Sequence, residues 1–135
     1  MLVSDIEANN LLEKVTKFHC GVIYDYRDGE YHSYRPGDFG AYLDALEAEV
    51  KRGGLIVFHN GHKYDVPALE KLAKLQLNRD FKLPRENCID TLVLSRLLHA
   101  NLKDTPLLYL LKKLRKKKLQ KDNVTHFYVT RQSLF

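Results

Sequence analysis

At 135 residues, with 44% apolar and 29% charged positions, the chain is long enough for one globular domain around a single core. No apolar run approaches the roughly 20 residues that a membrane-spanning helix needs, and acids at positions 5 and 7 stand where a secretory leader would carry basic residues. The formal net charge of +5 is unevenly spread: residues 1–104 hold 14 Lys or Arg against 16 Asp or Glu, while residues 105–135 hold eight against Asp122 alone, so a slightly acidic body precedes a basic tail.

"MLVSDIE" reads as a short apolar strand, "KFHCGVIYDY" as a second and "GEYHSYR" as a third, with "RDGE" supplying the Asp-Gly turn of a hairpin. An antiparallel three-strand meander is the simplest arrangement. In "RPGDFGAYLDALEAEVKRGG", Asp38 is the expected N-cap, Phe39, Tyr42, Leu43, Leu46 and Val50 recur at helical spacing, and Gly53-Gly54 ends the helix. "LIVFHN" is a continuous apolar run of the kind found in a strand covered on both faces. "VPALEKLAKLQL" is a second amphipathic helix, with Pro67 tolerated in its first turn. "NCIDTLVLSRLLHANL" reads as a short strand running into a third helix capped by Asp90. The order, with no internal repeat, predicts an α/β layered domain with a mixed sheet and the first strand at its centre.

Beyond that lies the tail. "PLLYLLKKLRKKKLQ" opens on Pro106 and sets Leu107, Leu110, Leu111 and Leu114 at helical spacing, with Lys and Arg opposite, which predicts a basic amphipathic helix. "NVTHFYVT" alternates and is rich in β-branched and aromatic residues, as an edge strand would be. Two uses stay open for the tail. Its helix can cover a core with its lysines solvated, or the Lys112–Lys118 region can contact a DNA backbone through counterion release.

Cys20 and Cys88 each sit in apolar surroundings, so buried reduced thiols and a cytosolic compartment are expected rather than a disulfide or a zinc site. The acids at the start of the chain ask for more. In an extended strand Asp5 and Glu7 project from one face, where like charges repel. Ligand sites in sheets of this class lie at strand ends and in the loops that follow. "HNGHKYD" is such a loop, and it ends in Asp65. Asp5, Glu7 and Asp65 are thereby expected to converge, and three carboxylates together suit a hard divalent cation, magnesium or manganese.

"SDIEANNLLEKVTKFHCGVIYDY", "DFGAYLDALEAEV", "RGGLIVFHNGHKYDVPALEKLAKLQLNR" and "LPRENCIDTLVLSRLLHANLKDT" together resemble the N-terminal 3′→5′ exonuclease domain of the DNA polymerases of T-seven-type coliphages. That domain is of the DnaQ-like, or DEDD, exonuclease type with an RNase H-like fold. The likeness runs from Met1 to about Thr105, with Asp5-Ile6-Glu7 as the first motif and Asn60 to Asp65 as the second. It implies proofreading chemistry during replication: two-metal hydrolysis of the terminal phosphodiester at a single-stranded DNA 3′ end, in the cytoplasm of a phage-infected or prophage-carrying bacterium. Asp5, Glu7 and Asp65 would be the catalytic, metal-holding acids, and Asn60 would position the strand or support Asp65. His59 reads as structural.

The same resemblance implies a fourth carboxylate, an Asp paired with Tyr or His on a late helix, beyond the matching stretch. Residues 106–135 do not align with the family, which divides the chain into a partial exonuclease domain, 1–105, and a divergent basic segment, 106–135. His99 and Asp104 in "HANLKD" have the right spacing in the wrong place, and Asp122 lacks a partner. Two functions follow: a truncated exonuclease whose two-ion site is incomplete and whose turnover is impaired, or a non-catalytic DNA- or protein-binding module on an RNase H-like scaffold.

Overall fold

In the computed structural model of the chain, residues 1–99 are described. They run in the order β1 (Leu2–Ala8), β2 (Phe18–Asp25), β3 (Glu30–Tyr34), α1 (Phe39–Lys51), β4 (Ile56–Phe58), α2 (Asp65–Leu77), β5 (Cys88–Asp90) and α3 (Thr91–Leu98). Short 3-10 turns at Pro36–Asp38 and Arg85–Asn87 lead into α1 and β5. Two compact units are present, Met1–Val93 and Leu94–Phe135. Of the second, only the end of α3 and His99 are described, and the helix and strand expected in the tail lie outside the described residues.

The sheet has the order β3-β2-β1-β4-β5, which makes β1 central as its sequence position predicts. The meander is antiparallel, with Leu2 opposite Asp25 and Tyr24 opposite Tyr31, whereas β4 lies parallel to β1 and β5 parallel to β4. In the hairpin, Asp25 faces Glu30, and Gly29 closes the connection in the left-handed region (φ 72°) with its N–H on Asp25 O.

Alternation along β1 sorts its side chains. Leu2, Ser4 and Ile6 are buried on the face that α1 covers, where the Ser4 hydroxyl meets the Tyr42 hydroxyl. Phe39, Tyr42, Leu43 and Leu46 form the buried stripe of α1, and Phe18 stacks on Phe39 with ring centroids 4.4 Å apart. Val66, Ala68, Leu69, Leu72 and Ala73 do the same for α2, which ends on left-handed Asn78, with Arg79 N–H returning to Ala73 O. Arg79 then bridges to Asp44 and Glu47 of α1.

Three local expectations shift. Asp38 occupies the N-cap position of α1, but its carboxylate turns back to the Arg35 N–H instead. Val50 is half-buried, while Glu49 beside it is 1% exposed. Cys88 is buried as expected, but Cys20 is half-buried because it stands on the face of β2 turned away from α1; both are free thiols among the described residues.

Candidate functional site

The three parallel strands β1, β4 and β5 release the chain at one end of the sheet. Val3 is the last β1 residue paired with β4, so Asp5 and Glu7 extend past that pairing toward the loop that follows Phe58. Across the antiparallel pair, Asp5 lies opposite Val22 and Glu7 opposite Cys20, and the register shifts just after Glu7. Glu7 is buried. Burial pushes the Cys20 thiol up to about 11, with the negative charges of Glu7 and then Asp5 adding to the rise, so both acids bear on one spot of this face.

Residues 59–64 carry the chain from β4 into α2. Asn60 is left-handed (φ 62°), and a Cβ on the next residue, Gly61, would fall 2.3 Å from the Cβ of Phe58, so only glycine fits there. Tyr64 N–H donates to Asn60 O and Val66 N–H to Gly61 O, a tight turn that makes Asp65 the first residue of α2. Asp65 is buried, and one carboxylate oxygen each of Glu7 and Asp65 is sealed from solvent.

The turn is held from β5. Asn60 N–H (2.9 Å) and His62 N–H (3.1 Å) donate to the two carboxylate oxygens of Asp90, which also receives Leu92 N–H at the start of α3. Burial raises the Asp90 pKa, but the N–H groups of His62, Asn60, Leu92 and Val93 outweigh it and hold the carboxyl below its usual range. Next to it, Thr91 Oγ1 donates to Phe58 O and meets His59 Nδ1. The N-cap at Asp90 is as the sequence predicts, but its hold on the neighbouring loop emerges only in the fold. The available signal was an Asp closing an apolar strand, in a fold where that strand borders a turn whose N–H groups need acceptors.

Segment 9–17 is laced to α2. Tyr64 donates its hydroxyl to Asn10 O, Lys71 reaches Leu12 O and Glu13 O, and Gln76 Oε1 accepts the N–H of Phe18. The strand carrying Asp5 and Glu7 and the helix opening on Asp65 are thereby fixed to each other.

The structure thus brings Asp5 and Glu7 together and delivers Asp65 to the same end of the sheet, while Asn60 is anchored through its main chain. Among the described residues no three His, Cys, Asp or Glu side chains form a ready metal cage. The donor chemistry, buried carboxylate oxygen, still suits a hard cation whose remaining positions are filled by water or substrate oxygens. His99 is described, while Asp104 and Asp122 lie outside the described residues. An open cleft of about 300 Å³ between the hairpin and α1, lined by Asp25, Arg27, His32, Tyr34 and Arg52 among others, touches none of the three acids.

The model of the RNase H superfamily matches residues 2–128, nearly the whole chain. The chain belongs to the RNase H superfamily. Over 105 residues, 78% of its length, this superfamily member is 95% identical to the DNA-directed DNA polymerase of Enterobacteria phage T3 and 87% identical to that of Escherichia phage T7. It spans 15% of the length of each of those curated relatives. The superfamily match reaches residue 128, into the basic segment that the phage likeness was expected to leave uncovered.

Proposed function

We propose that the chain is the opening part of the 3′→5′ exonuclease domain of a phage DNA polymerase, acting on single-stranded DNA 3′ ends during proofreading in the cytoplasm of a bacterial host. One observation carries the reading: two acids on the central strand stand beside the turn that opens α2 on a buried Asp65. Asp5, Glu7 and Asp65 would hold divalent magnesium or manganese, and Asn60 would orient the terminal nucleotide. Such an ion, when bound, supplies Lewis acidity toward the phosphodiester and a more acidic water.

The test uses the purified chain with 5′-labelled single-stranded DNA and manganese. Slow shortening from the 3′ end is expected, falling about a hundredfold or more in Asp5→Ala and Asp65→Ala, because members of a cooperating set fail together. Manganese should also raise the melting temperature of wild type and not of Asp5→Ala. No shortening, with melting temperatures equally unmoved by metal, would sink the reading.

The likeness to the phage polymerases covers 105 residues, and the resemblance places its fourth carboxylate beyond them, which supports a second reading, a DNA-binding module without turnover. It predicts DNA binding that is unchanged in Asp65→Ala.

A further inference from the structure

We propose that Asp90 is a positioning residue that sets the carboxylate of Asp65 through the turn between them; the idea rests on the exonuclease reading of Asp65. The geometry is a two-sided clamp. On one side the N–H groups of Asn60 and His62 are held by Asp90, which is only 4% exposed and is fixed in its turn by Leu92 N–H. On the other side the carbonyls of Asn60 and Gly61 receive Tyr64 N–H and Val66 N–H, the two residues that flank Asp65. Tyr64 is therefore tied to Asn60, which Asp90 grips, and Val66 to Gly61, which lies between the two gripped residues, so a shift of the turn is passed to Asp65 within one helical turn. Gly61 cannot shift independently, since it is packed on Phe58.

A carboxylate suits this task better than a neutral group. It accepts from several N–H donors at once, here those of Asn60, His62 and Leu92. Asparagine at this position would keep acceptance at one oxygen, but would place an NH₂ against an N–H on the other.

The experiment measures manganese affinity by electron paramagnetic resonance, together with the metal-free melting temperature, in wild type, Asp90→Asn, Asp90→Ala and the exposed control Asp80→Asn. Affinity should fall about tenfold in Asp90→Asn and further in Asp90→Ala, the usual scale for groups that orient ligands, with the melting temperature of Asp90→Asn lowered by the lost acceptor but the variant still folded at the temperature of the measurement. Affinity equal to wild type in both variants overturns the proposal, and if Asp90→Ala does not fold, Asp90→Asn decides. A wild type that binds no manganese sinks the exonuclease reading instead. The position of Asp65 is then read without metal from its side-chain carboxyl ¹³C resonance, which must move in Asp90→Asn and stay in Asp80→Asn; an unmoved resonance overturns the proposal.

Discussion

Glu7 and Glu49 are both buried acids, and their surroundings give them opposite uses. Glu49 is met by the Met1 ammonium (2.8 Å), Arg27 and Arg52, so it is a neutralised structural ion at the N-terminal end of β1. Burial alone would raise its pKa, but the ammonium, Arg52 and Arg27 outweigh it and bring the carboxyl down to about 2. A folded pKa below the ordinary 4.5 means that its stabilisation is present above 4.5 and is lost as pH falls toward 2. Glu49→Gln should therefore lower stability by about 2 kcal/mol near neutral pH, the usual worth of hydrogen bonds to a charged group. In urea melts the gap from wild type should close between pH 4.5 and about 2. A gap that stays constant across that range would show that the Glu49 charge does not stabilise the fold. Nothing in "EAEVKRGG" distinguishes Glu49 from Glu47, because its partners come from the chain start, the hairpin and the next turn.

At the scale of elements, the turn between β4 and α2 is where local sequence and tertiary contact meet. Gly61→Ala adds a methyl against the Phe58 side chain, so the turn must open or Phe58 must leave the core. A loss of about 1–3 kcal/mol is expected, along with weaker manganese binding. A fully stable variant with unchanged metal affinity would mean that the turn tolerates displacement. The strands and helices were legible in the sequence because period and punctuation agree: Leu2, Ser4 and Ile6 alternate, and Phe39, Tyr42, Leu43 and Leu46 follow the helical stripe. The pairing of Asp5 with Glu7 was legible for the same reason. The clamp from Asp90 was not, since a parallel neighbour 30 residues away leaves no periodic trace in the chain. Nor was the Cys20 position against Glu7, which depends on strand register and the shift after Glu7.

For the whole molecule, charge is divided: the segment 105–135 carries the excess of basic residues. If that excess contacts a DNA backbone, reversing Lys116, Lys117 and Lys118 to Glu should weaken single-strand binding and flatten its salt dependence. Binding that is insensitive to both would leave the lysines as solvated surface. The lacing of segment 9–17 to α2 has a consequence for how the molecule opens. That segment has little regular structure, yet Thr16 and Lys17 donate their N–H groups to Asn9 Oδ1, Lys71 of α2 and Tyr64 at its N-cap hold the segment itself, and Gln76 of α2 holds Phe18 just after it. It should then exchange its amide hydrogens as part of the same cooperative unit as α2, with protection far above that of an ordinary surface loop. Lys71→Met, which removes two of the ties, should speed exchange at Thr16 and Lys17 while leaving β2 and β3 as slow as before. Segment and helix would breathe as one body, and the separation of Asp5 and Glu7 from Asp65 would change only when that body opens.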